Sequence, residues 1–216
     1  MIQLYHCEGA RSFRPLWMLE ELRLPYELKM LPFPPRVLAK EYLAINPLGT
    51  IPFMIDGETR MSESSAICHY LGTRHGPSDL IVDVSEPGYG AFLNWMYFSD
   101  ATLTFPQTLV LRYTRLEPEE RRSPQVATDY AKWFLGRLRA VEAATASAET
   151  LCARRFTAAD ITIGYALRLA DSLGLSKDFG PNVRAYWERL QQRDGYKRAV
   201  AAERSAAQQQ NVARRA

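Results

Sequence analysis

From Asn46 to Leu71 the chain reads NPLGTIPFMIDGETRMSESSAICHYL. Two short apolar runs, Ile51 to Ile55 and Thr59 to Met61, flank Asp56-Gly57-Glu58, and Asp-Gly between such runs is the strongest short-range hairpin signal. After them, Ser62 to Ser65 lead into Ala66, Ile67, Tyr70 and Leu71, spaced as on one face of a helix. The stretch predicts strand, tight turn, strand and helix start.

Two features of it bear on function. Pro52 has no N–H to give a ladder, so it marks a strand entrance or a special backbone geometry. An ordinary trans bond and a cis Ile51-Pro52 bond both fit; the cis form would turn backbone groups outward, and before proline the trans preference is only about 0.5–1 kcal/mol. Glu63 and Ser64 stand at the helix start, where unpaired N–H groups and the dipole favour a carboxylate. There Ser64 could donate to a ligand carboxylate and Glu63 could take an ammonium. Equally, Ser62 or Ser64 is a helix cap and Glu63 a first-turn acid.

Taken in order, Asn46-Pro47, Gly49, Ile51-Pro52, Asp56-Gly57 and Glu63-Ser64-Ser65-Ala66-Ile67 resemble the motif series of the glutathione transferase superfamily. Glutathione would then be the co-substrate, with no metal. The resemblance implies that Ile51 gives backbone bonds to the cysteinyl part of glutathione, that Pro52 is cis, and that Glu63 and Ser64 hold the γ-glutamyl end.

The preceding residues extend the pattern. Met1 to Tyr5 is a short apolar strand; Phe13, Leu16, Trp17, Leu19, Leu22 and Leu24 lie at helical spacing behind Ser12, a plausible cap. Pro25 to Leu31 alternates like a strand, and Arg36 to Ile45 suits a short helix. The first 77 residues thus read β-α-β-α-β-β-α, the order of a thioredoxin-like domain, which the family carries first. Residues 78–88, with Pro87, form a linker. Residues 89–216 show long helical patterns without strand signals. The fold class is therefore an α/β thioredoxin-like N-terminal domain followed by an all-α C-terminal domain.

Chemistry is expected in the loop from His6 to Ser12. A thiol like that of glutathione titrates near 8.5, and lowering it by two units takes about 2.7 kcal/mol of selective thiolate stabilisation. The family supplies this with a Tyr, Ser or Cys near the end of the first strand. Matching Phe13-Arg14 to the family's helix start puts Ala10 at the usual serine position and Arg11 at the usual cysteine position, with Tyr5 and His6 bracketing the tyrosine position. The catalytic candidates are Ser12, a hydroxyl at the helix N-terminus, and Arg11 as a cation. Ser12 as a simple cap is the competing reading, and Cys7 is a rival that could form a mixed disulfide.

Farther on, the aromatics between Tyr89 and Arg115 read first as helix core. In the resembled family the helix after the linker lines the electrophile pocket beside the glutathione site, which singles out Tyr97, Ala101 and Phe105. Phe156-Thr157-Ala158-Ala159-Asp160-Ile161 forms a capping box with a hydrophobic staple, so Thr157→Ala or Asp160→Ala should cost about 0.5–2 kcal/mol. Helices follow over Pro181 to Arg193 and Tyr196 to Gln210. The polar run Gln208 to Asn211 carries no core signal and is expected to be loose.

Composition narrows the class. The chain has 216 residues, 47% hydrophobic and 24% charged, as in an ordinary soluble protein. No apolar run reaches the roughly 18 residues of a membrane span and no signal-like segment opens the chain, which predicts a cytoplasmic protein without a membrane partner. Three scattered cysteines make neither a disulfide framework nor a zinc site, and the histidines have no ligand spacing. A net charge of +3, much of it in the tail containing Lys197, Arg198, Arg204, Arg214 and Arg215, argues against nucleic acid. The expected activity is conjugation of glutathione to small apolar electrophiles, with peroxide reduction or thiol exchange as related reactions, in a detoxifying homodimer. The alternative is a non-catalytic glutathione-binding or scaffold protein, motivated by Ala10.

Overall fold

The computed structural model describes residues 1–212; Arg214 and Arg215 of the basic tail lie outside the described residues. In chain order the elements are β1 (Ile2–His6), α1 (Phe13–Leu22), β2 (Tyr26–Met30), α2 (Pro35–Leu38), β3 (Phe53–Asp56), β4 (Thr59–Met61), α3 (Ser64–Arg74), α4 (Tyr89–Tyr97), α5 (Phe105–Leu111), α6 (Pro124–Thr145), α7 (Ala158–Ser172), α8 (Pro181–Gln192) and α9 (Asp194–Gln209). They form two compact units, one of Met1–Ser78 with the chain from Gln191 on, the other of Asp79–Leu190.

In the first unit the sheet has the order β2-β1-β3-β4. β1 runs parallel to β2, as a helical crossover through α1 requires, while β3 is antiparallel to both β1 and β4. The hairpin forms as expected: Asp56 pairs with Thr59 and leaves Gly57 and Glu58 as the turn, Gly57 at φ +59°. The strand begins at Phe53, directly after Pro52, because the proline cannot join the ladder. Leu4, Met54, Leu16, Leu19, Ile67 and Leu71 are fully buried and make the core between sheet, α1 and α3. The expected helix over Arg36 to Ile45 is broken at Ala39 (φ −140°, ψ 68°) into α2 and a 3-10 turn, Lys40–Ala44.

α9 also belongs to the first unit, whereas the sequence grouped everything from residue 89 on together. Tyr196 meets Trp17 and Phe13 edge to face, with ring centroids 5.0 and 5.6 Å away. Arg193 grips Glu21 through two bonds of 2.8 and 3.0 Å, and Arg198 reaches Glu20 at 3.0 Å. Aromatic pairs are worth about 0.5–1.5 kcal/mol each beyond area, half-exposed ion pairs about 0–1, so the rings dominate the docking. The polar run at the end is not loose: the Gln210 side chain accepts the Met30 N–H at 2.9 Å and donates to the Leu28 carbonyl at 2.8 Å. Gln210→Ala is expected to cost about 1 kcal/mol through these two exposed-side bonds, read as a lower urea midpoint. An unchanged midpoint would show that they contribute nothing.

The second unit is helical. The segment from Tyr89 to Arg115, whose aromatics read as helix core, is interrupted twice by π-helical turns, Phe98–Thr104 and Arg112–Leu116. Side chains compete for main-chain carbonyls there: Ser99 donates to Met96 O at 2.9 Å and Thr104 to Ser99 O at 2.7 Å. α7 is buried over almost its whole length and starts at the expected capping box, Asp160 Oδ2 accepting the Thr157 N–H at 2.8 Å. Leu151 N–H at 3.1 Å and the Tyr186 hydroxyl at 2.7 Å also converge on Asp160. Burial raises its carboxyl above the ordinary range, against those three donors and a fourth, the Thr157 hydroxyl at 3.2 Å.

Among the described residues no helix is long and apolar enough to cross a membrane.

Candidate active site

Three structural elements of the first unit converge on one region: the loop after β1, the entrance to β3 and the start of α3. The entrance is built by Asn46, whose side-chain amide donates to Thr50 O at 2.9 Å while its Oδ1 accepts the Leu48 N–H at 3.2 Å. Gly49 is needed here: it sits at φ +57°, and a Cβ would lie 2.6 Å from that of Arg36. The loop delivers a cis Ile51–Pro52 bond, as the resemblance implied, with Ile51 half-buried and Pro52 buried. The hairpin end is tied to α3 through Asp56, which accepts from Tyr70 at 3.1 Å and lies 2.7 Å from His75 Nε2. Burial alone would raise the Asp56 carboxyl, but the His75 and Tyr70 bonds outweigh it and hold it below its usual value.

At α3, Glu63 is the exposed residue before the helix, extended at φ −85°, ψ 114°, and makes no side-chain cap bond. Ser64 is buried, and its hydroxyl accepts a 2.8 Å bond from Arg14. Arg14 is fully buried on α1. This bond joins the starts of α1 and α3, so the two helix N-termini of the candidate site share one guanidinium. Arg14 also opposes the effect of burial on Cys68, whose thiol is nevertheless pushed up to about 12. Ser65 Oγ, one residue along, is buried without a hydrogen-bond partner. Neither Arg14 nor Ser65 was singled out from the sequence; Arg14 lies on the apolar stripe of α1, and an arginine among Phe13, Leu16 and Trp17 was the available signal.

The β1–α1 loop differs from expectation in detail. Ser12 is fully buried and makes no cap bond to α1. Its hydroxyl instead accepts the Cys7 N–H at 3.3 Å and lies 3.5 Å from the Cys7 carbonyl, closing the loop on itself. Arg11, beside it, is half-buried, and Ala10 is buried. Cys7 is only 1% exposed, its sulfur 3.7 Å from Pro32 O. Tyr5 packs its ring 5.3 Å from Tyr42 and 6.2 Å from Phe53, in a small cluster with Ala39.

In the second unit, Tyr97 ends α4, Ala101 lies in the first π turn and Phe105 opens α5. All three are exposed, Tyr97 by 70% and Phe105 by 51%, and their four-residue spacing makes an apolar stripe. Among the described residues no three His, Cys, Asp or Glu side chains gather as a metal site.

Comparisons with known proteins bear on the family and the fold. A family profile described as "Glutathione S-transferase, N-terminal domain" matches residues 4–79. Glutathione S-transferase 3 of Schizosaccharomyces pombe is 36% identical over 103 residues, 48% of this chain and 43% of that protein. Glutathione S-transferase hmp2 of Hypomyces subiculosus is 34% identical over 144 residues, 62% of this chain and 68% of the relative. Among solved structures, the glutathione transferase URE2P8 of Phanerochaete chrysosporium with oxidized glutathione superposes with a TM-score of 0.84 at 20% identity, covering 96% of each chain. With the thioredoxin-like sheet, the helical second unit and a relative matched over two thirds of its length, the chain belongs to the glutathione transferase superfamily.

Proposed function

We propose that the protein binds glutathione in the first unit, activates it as the thiolate and transfers it to small apolar electrophiles. The observation that carries the reading is the Arg14–Ser64 bond, because it fixes the start of α3 against the start of α1. In the bound state the γ-glutamyl carboxylate meets Ser64 and the N–H groups of α3, its ammonium meets Glu63, and the cysteinyl backbone pairs with Ile51 ahead of Pro52. The thiol then falls at the positive end of α1. There the helix dipole and the Arg11 guanidinium favour the thiolate. Ser12, turned inward onto Cys7, acts by holding the loop that presents them. The thiolate sulfur bonds to an electrophilic carbon, and the leaving group departs with its electron pair.

Tyr97, Ala101 and Phe105 supply the apolar surface for the electrophile. Peroxide reduction and thiol exchange are reactions of the same thiolate. The wider reading, a cytoplasmic, detoxifying homodimer that needs no metal, rests on the family resemblance.

Calorimetry of glutathione binding, read together with the ultraviolet absorbance of the thiolate, tests the assignment. Glu63→Ala should weaken binding about tenfold or more, about 1.4 kcal/mol, and Arg11→Ala should bind glutathione but lose most of the thiolate signal. Native-like binding by Glu63→Ala would reject the γ-glutamyl assignment. A native complex without thiolate absorbance would instead favour a non-catalytic glutathione-binding protein.

A further inference from the structure

We propose that Glu203, on α9, is a positioning residue that holds the thiolate-stabilising loop between β1 and α1 in its working shape. The inference rests on the functional reading above. Glu203 is fully buried, and one oxygen, Oε2, lies 3.2 Å from His6 Nε2 while accepting the Gly9 N–H at 3.2 Å. His6, the last residue of β1, is itself fully buried, and its other ring nitrogen, Nδ1, has no hydrogen-bond partner. Gly9 sits at φ +70°, a geometry that suits glycine and sets the bend of the loop. Between them, Cys7 is clasped from inside by Ser12. The loop that ends at Arg11 and Ser12 is therefore pinned at its beginning and its middle by one carboxylate 194 to 197 residues away in sequence.

A buried carboxylate is an expensive way to hold a helix down. Apolar residues of the same volume are often as stabilising or more so, which makes such a group weak evidence for stability and points to geometry. The shape it fixes is that of the loop where charge develops. A misplacement of about 1 Å at such a site can cost up to about a hundredfold in rate.

Glu203 in its ionised form is also an anion near the loop, so its electrostatic and positioning effects have opposite signs. Removing a nearby anion would lower the titration of a bound thiol, whereas loosening the loop raises it. The test uses the full-length protein and glutathione. Glu203→Met keeps the volume and removes the acceptor; kcat should fall about tenfold and the thiolate titration should shift upward by about one unit, with the glutathione Kd within about twofold of native. Glu203→Gln keeps an acceptor for Gly9 and should recover most of kcat. Should Glu203→Met fail to fold, Glu203→Asp, with the carboxylate drawn back by one methylene, must show the same direction of loss. A downward or unchanged titration in folded Glu203→Met, or equal losses in Kd and kcat, would overturn the proposal. A native complex with no thiolate signal would overturn the functional reading and this inference with it.

Discussion

Asp160→Ala should lower the unfolding free energy by about 3–5 kcal/mol, well beyond the usual worth of a cap, because of what the carboxylate leaves behind. The Thr157 and Leu151 N–H groups and the Tyr186 hydroxyl, all aimed at Asp160, would be stranded where water does not reach. Each buried donor left unpaired costs about 1–3 kcal/mol. Thr157→Ala loses one hydroxyl and keeps the carboxylate, so it should stay within about 0.5–2 kcal/mol. Chemical denaturation of both variants checks this, and equal effects would mean that the convergence on Asp160 contributes nothing beyond the cap. The raised carboxyl adds a pH signature. Between the ordinary carboxylate range and its raised folded value the native state holds the proton more tightly than the unfolded chain does, so the contribution of Asp160 falls as pH rises through that window. Asp160→Asn should remove that slope.

Arg14→Ala is the second large effect. It deletes a fully buried side chain from α1 and takes the donor from Ser64. Loss of packing and the resulting cavity should cost about 2–4 kcal/mol of stability. Glutathione affinity should fall about tenfold, about 1.4 kcal/mol, because the start of α3 is no longer held against α1. Thermal unfolding and calorimetry separate the two effects. A destabilised protein with native affinity would leave Arg14 a packing residue and remove the main support for the proposed binding geometry.

What the sequence disclosed and what it concealed divide along sequence separation. The hairpin at Asp56-Gly57 and the capping box at Thr157 and Asp160 are written within four residues, and both formed where expected. The series from Asn46 to Ile67 carries the family, and the succession of strands and helices in the first unit follows from their alternating patterns. Hidden were the pairings made only by folding, such as Arg14 with Ser64 and Glu203 with His6, which no local pattern relates. Ser12 looked like a cap because its position allowed one; its hydroxyl found the Cys7 main chain instead. The helical segment from Tyr89 turns π-helical where Ser99 and Thr104 compete for carbonyls, a choice that apolar spacing does not record. α9 shows the same limit, since its polar outer face gave no hint that Tyr196 closes over Trp17.

The amide of Gln210 has a further consequence. β2 is an outer strand of the sheet, and an open outer strand invites another chain to add itself by main-chain pairing. By presenting one acceptor to Met30 and one donor to Leu28, the side chain imitates a single residue of a neighbouring strand and ends the ladder there. A stop of this kind, carried at the end of α9, makes Gln210 a guard against self-templating: shortening the protein before residue 210 would unseal a growth point for aggregates while leaving every strand of the sheet in place.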